Sequence, residues 1–195
     1  MKMPRRALWI AVLFYAVTTI AQTKPQLSSE PLTAEQMAVY RAFLASYDNG
    51  SGARVNLANK TVPFEPDDMD LNGCLQGLHL VSPDVAAIHA LSENFLPEKG
   101  YRLVDVEEQE KQIGQNDPGT LIRNGEPVDY SVERGFSAGL LSLSEIEFSK
   151  NHRYAAFTFW FHCGRLCGHG ATLIYENVDG KWKEARGKRC SFTMS

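Results

Sequence analysis

The sequence predicts an α+β domain in which N-terminal helices pack on a C-terminal antiparallel β-meander. Three observations predict it. Apolar residues recur at helical spacing in several segments before residue 140. From Leu140 onward the spacing changes to that of strands, in segments rich in aromatic and β-branched residues. An Asp-Gly pair, Asp179–Gly180, then falls between two such strands, where a tight hairpin turn would sit. Helices early and consecutive strands late are the pattern of segregated layers rather than of alternating βαβ units.

The chain opens MKMPRRALWIAVLFYAVTTIAQTKPQ, with Lys2, Arg5 and Arg6 ahead of an uncharged, mostly apolar stretch from Ala7 to Ala21. That layout is a secretory signal peptide over residues 1–21, with small residues at Thr19 and Ala21 placing the cut after Ala21. The stretch is shorter than the roughly 20 apolar residues that span a bilayer, which ranks an uncleaved anchor second. Pro4 and the residues after Arg5–Arg6 fit a twin-arginine export signal poorly. The expected mature protein is therefore exported, periplasmic or secreted, with no membrane span once the signal is removed. Taking the leader's three basic residues from the chain's 20 Lys plus Arg leaves 17 against 23 Asp plus Glu, a net charge of −6. An acidic chain of about 174 residues suits one domain with its own core and argues against nucleic acid as partner.

Residues 22–31, QTKPQLSSEP, read as a polar linker, with the domain running over 32–195. In TAEQMAVYRAFLASY, Met37, Tyr40, Phe43, Leu44 and Tyr47 share one helical face, and Thr33 with Gln36 forms a capping box. DNGSG ends that helix, and ARVNLANKTVPF alternates like a short strand. SPDVAAIHALSENFLPEKG reads as a second helix, with Pro83 in its first turn, Ile88, Leu91 and Phe95 as its buried stripe and Pro97 as its stop. YRLVDV is a strand and EEQEKQIGQNDPG a short polar helix. EPVDYSVERGFSAG is an amphipathic helix burying Val128, Val132 and Phe136. LLSLSEIEF, YAAFTFWF, ATLIYENV and KWKEAR are the strands of the meander.

Three motifs bear on chemistry. GFSAG at Gly135–Gly139 fits a hydrolase nucleophile elbow, but a helical stripe precedes Ser137 and a strand follows it, the reverse of the order an elbow needs. DMDLNGCLQGLH puts Asp68, Asp70 and Asn72 at the first, third and fifth positions of a calcium loop. Its twelfth position, which should be a bidentate carboxylate, is His79. A turn capping a helix that contains Cys74 is the preferred reading.

The third motif is FHCGRLCGHG, residues 161–170. The four cysteines, Cys74, Cys163, Cys167 and Cys190, are an even number in an exported chain and allow three pairings. The preferred one is Cys163 with Cys167 and Cys74 with Cys190, because the close pair can meet across the turn that Gly164 and Gly168 permit. A zinc site at His162, Cys163, Cys167 and His169 is the alternative. Against it, His162 and Cys163 are neighbours that would face opposite sides of a strand. A catalytic redox pair would sit at a helix start, not between strands. No cofactor is expected.

LSLSEIEFS, an aromatic strand, CGRLCGHG, an apolar strand and DGKW together resemble the C-terminal half of a group of exported bacterial proteins of unknown function. Cys163, Gly164, Cys167, Gly168, Gly170, Gly180, Lys181 and Trp182 carry the resemblance, which covers roughly residues 140–183. It implies a bacterial periplasm and no particular activity. The leading functional expectation is a non-catalytic cell-envelope module that binds an unknown protein or small ligand and is stabilised by disulfides. A small metal- or thiol-dependent enzyme centred on Cys163–His169 is the rival.

Overall fold

A computed structural model describes residues 25–50, 52–82, 87–97, 100–185, 188 and 190–194. The expected signal peptide over residues 1–21 lies outside the described residues, as do Pro83 and the first residues of the expected linker. Among the described residues no helix is long and apolar enough to cross a membrane.

In chain order the elements are β1 (Gln26–Leu27), α1 (Ala34–Leu44), β2 (Val55–Ala58), α2 (Asp68–Asn72), β3 (Leu80–Val81), β4 (Ala87–Ile88), β5 (Tyr101–Val104), α3 (Val106–Gln115), α4 (Pro118–Arg123), α5 (Val128–Ala138), β6 (Leu140–Leu143), β7 (Glu147–Ser149), β8 (Tyr154–Gly164), β9 (Cys167–Val178), β10 (Lys181–Glu184) and β11 (Phe192–Met194). A 3-10 turn occupies Glu93–Phe95.

Helices and strands are both present, as an α+β chain requires, but the sheet is mixed rather than a simple antiparallel meander. Its main path is β10-β9-β8-β6-β2-β5. The pairs β6·β8, β8·β9 and β9·β10 are antiparallel. Beyond β6 the order departs from expectation, because β2 lies between β6 and β5 and is parallel to both. The reason is written in β2 itself: all four residues of VNLA are buried, as in a strand covered on both faces rather than an edge.

Alternation along the strands divides the core. Leu57, Leu141, Ala155, Phe157, Phe159, Phe161 and Cys163 join the main cluster with Tyr40, Phe43 and Leu44 of α1. Their neighbours Ala58 and Leu140 pack instead with Ile113 of α3, and Ala156 packs with Leu75, Leu78 and Ile174. The sheet is therefore covered on both faces. The main cluster is strongly aromatic: Phe157 meets Tyr40 and Phe43 edge-on, at 5.6 and 5.5 Å between ring centroids.

Local signals act where they were read. The Thr33 hydroxyl accepts from the Gln36 backbone N–H at 3.2 Å and the Gln36 side chain accepts from Thr33 N–H at 2.9 Å, completing the capping box. Asp179 and Gly180 both have positive φ, 53° and 77°, the requirement of a type I′ turn between Val178 and its partner Lys181.

Two helical expectations are corrected. Residues 87–97 hold β4, an isolated bridge at Ala90 and the 3-10 turn. Leu91 and Phe95 are buried as expected, but Leu91 is on extended backbone and Phe95 in the 3-10 turn: Thr61 N–H donates to His89 O and Leu91 N–H to Asn59 O, both at 2.9 Å. Pairing with residues 59–61 satisfies these groups, so the helix is not needed. In α5, Val128 and Val132 are exposed and the helix buries Ser131, Gly135 and Ala138. A side chain at Gly135 would overlap the Pro118 ring of α4 and come within 3.2 Å of the Cys163 carbonyl. Close approach to α4 and β8 fixes the rotation of α5 and turns the valines outward.

Candidate functional site

The two cysteine pairs are Cys74–Cys190 and Cys163–Cys167, with Cα separations of 5.2 and 5.1 Å. The Cys163–Cys167 pair closes the β8–β9 hairpin, whose tip residue Leu166 is 87% exposed. Asp117 docks this hairpin. Its carboxylate accepts from Arg165 N–H at 2.9 Å, from Thr120 N–H at 2.9 Å and from the Thr120 hydroxyl at 2.7 Å, so it also caps α4. A Cβ at Gly164 would collide with this carboxylate and approach Pro118 Cδ to 2.9 Å.

The Thr120 hydroxyl, followed by the two backbone N–H bonds and Arg123, outweighs burial and holds the Asp117 carboxyl below the usual carboxylate range. A lowered folded value means that stability is fully present above the ordinary carboxylate value and is lost as pH falls through the folded one. Asp117→Asn should therefore flatten the acid limb of a urea-unfolding series run from neutral pH downward. Parallel wild-type and variant curves would remove Asp117 from that role.

The proposed ligand sets disperse. His162 pairs with Gly168 on the sheet face opposite Cys163, and its Nε2 lies 2.9 Å from Glu110 Oε1 of α3. His169 lies between the Tyr47 and Phe192 rings on the other face, 3.2 Å from the Tyr47 hydroxyl, and burial pushes its pKa down. With both sulfurs bonded and the histidines on opposite faces, His162, Cys163, Cys167 and His169 do not converge on one point. Asp68, Asp70 and Asn72 sit on α2, not in an encircling loop. Buried Asp70 accepts from Ser191 N–H and Oγ, both at 2.8 Å, and Asn72 donates to Asp68 O. Cys74 follows this helix, which Asp67 caps. Ser137 of GFSAG is exposed on α5.

A different constellation lies at the other end of the sheet. Three chain segments pair there: Lys60 bridges Ala90, Val62 bridges Ser144, and Glu145 N–H donates to Val62 O at 2.7 Å. This backbone pairing sets Thr61, His89 and Glu145 side by side. Glu145 Oε1 accepts from His89 N–H and Nδ1, both at 2.9 Å, and from the Thr61 hydroxyl; Oε2 also lies 2.9 Å from Nδ1. The Thr61 hydroxyl accepts in turn from His89 N–H at 2.8 Å. Facing a carboxylate, Nδ1 carries a ring hydrogen. Nε2 has no hydrogen-bond partner among the described residues. The Tyr40 hydroxyl secures the base of this arrangement by donating to Ser144 O at 2.6 Å.

His89 and Glu145 are 13% and 12% exposed and line a cleft of about 590 Å³. Phe64, Val81, Ile146 and Phe148 give it apolar walls. Sequence reading missed this site. Its members are 28 and 56 residues apart, and the only local signal is a single histidine in the apolar run VAAIHAL.

Fold and site together define a disulfide-stapled α+β domain with a half-buried cleft beside its sheet. No known protein family matches the chain, and no curated protein or solved structure matches it.

Proposed function

We propose that this chain is an exported binding module of the cell envelope, held together by its disulfides, that takes a small organic ligand in the His89–Glu145 cleft. The observation that carries the reading is the cleft: about 590 Å³, with apolar walls and a few convergent polar groups. Small-molecule sites have this size and composition. The His89 ring is fixed by Glu145, whose carboxylate Thr61 holds in turn, before any ligand arrives, so little side-chain freedom remains to be lost on binding. Export is supported by the leader-like residues 1–21 and by the cysteine pairing.

The test is a fragment screen by NMR on the mature chain with its disulfides intact. Small aromatic and aliphatic fragments should produce saturable shifts at His89, Ile146 and Phe148. Ligands that accumulate elsewhere, or a screen with no saturable shift at the cleft, would overturn the reading.

A further inference from the structure

The chemistry of the cleft restricts its ligand further, and this step rests on the binding-cleft reading above. Its half-buried charged walls are carboxylates, Glu145 and Glu147, with Glu65 exposed at the edge. The lining ammonium is Lys150, exposed at the rim. His152, also exposed at the rim, directs Nδ1 to Glu35 Oε2 at 2.8 Å, as His89 directs its own to Glu145. The half-buried charged positions offered to a ligand are thus acceptors: the remaining capacity of Glu145 Oε2 and the Glu147 carboxylate. Phe64 and Phe148 line the same space, and an aromatic face attracts a cation through its quadrupole. An anion there would meet two carboxylates in a partly desolvated wall, where like charges are screened least.

We propose that the cleft selects organic cations, namely a primary ammonium group carried on a compact aromatic or alkyl body. The ammonium supplies three donors to a wall of acceptors, and the body covers the apolar side.

The experiment compares three near-isosteric probes on the intact mature chain: 2-phenylethylamine, 2-phenylethanol and phenylacetate, each titrated by NMR at low and high salt. The amine should bind at least about tenfold tighter than phenylacetate and lose part of that preference at high salt. Glu147→Gln, which keeps shape and removes charge, should weaken the amine several-fold and leave the alcohol unchanged. An alcohol or phenylacetate that binds as tightly as the amine would overturn the cation preference while leaving the cleft reading intact. If none of the three shifts His89 or Phe148, the cation proposal falls, and the fragment screen separately decides whether the cleft binds anything. An amine whose affinity is unchanged in Glu147→Gln and insensitive to salt also overturns the proposal.

Discussion

Replacing Cys74 and Cys190 together by serine should lower the unfolding free energy by about 3 to 5 kcal/mol. The two cysteines are 116 residues apart, so their bond removes a long loop from the freedom of the unfolded chain. In the chain-entropy account a loop of ~100 residues corresponds to about 4.7 kcal/mol. The bond also packs beside Leu75, Leu78, Ile174 and Ala185, and it holds Ser191 where Asp70 accepts both of its donors. β11, which begins at Phe192, should become the first part of the variant to exchange its amide hydrogens. Cys163 and Cys167, only 4 residues apart, close a loop worth about 2 kcal/mol by the same account. Urea unfolding of the two double-serine variants checks the order. A larger loss from the short pair would show that local geometry, not loop entropy, dominates.

The second large effect belongs to the core. Phe157→Ala should destabilise the protein by about 3 to 5 kcal/mol, the range for a fully buried phenylalanine cut back to alanine. Phe157 is inaccessible to solvent and sits at the junction of layers: its ring touches Tyr40 and Phe43 from α1 and Tyr175 from β9. These neighbours are large and fixed. The Tyr40 hydroxyl is tied to Ser144 O, so the helix cannot settle into the void without breaking a buried hydrogen bond. Phe157→Leu should lose much less, because most of the volume is kept. Equal losses for the two variants would mean that α1 collapses onto the gap after all.

What was legible in the sequence is what is decided within a few residues. The Thr33–Gln36 box starts α1 and the Asp179–Gly180 pair closes the last hairpin, because each satisfies its own backbone locally. The antiparallel strands from Leu140 onward follow from local alternation as well. Where backbone groups are satisfied by distant partners, local reading failed. Ile88, Leu91 and Phe95 fit a helical stripe, yet the same apolar spacing suits a strand leading into a 3-10 turn, and pairing with residues 59–61 decides between them. Val128 and Val132 form the most hydrophobic stripe of α5, but the tight fit at Gly135 determines which side is buried. The chemistry was misplaced for the same reason. FHCGRLCGHG gathers reactive residue types in ten positions and disperses them over two sheet faces. Thr61, His89 and Glu145 carry no joint signal until three segments pair.

The position of β2 between β5 and β6 has a consequence for the order in which the molecule can be assembled. Asn56 and Leu57 wait for Leu140 and Leu141, their partners in β6, so the middle of the sheet stays open until more than two thirds of the chain has emerged. Closing so long a loop is entropically dearer than closing the β8–β9 hairpin. That hairpin can zip and oxidise Cys163–Cys167 from nearby residues alone. Cys190 meets Cys74 only when the stretch between them, a separation of 116 residues, exists. The short bond can therefore record early, local folding, whereas the long one forms last and seals a chain that has already found its shape.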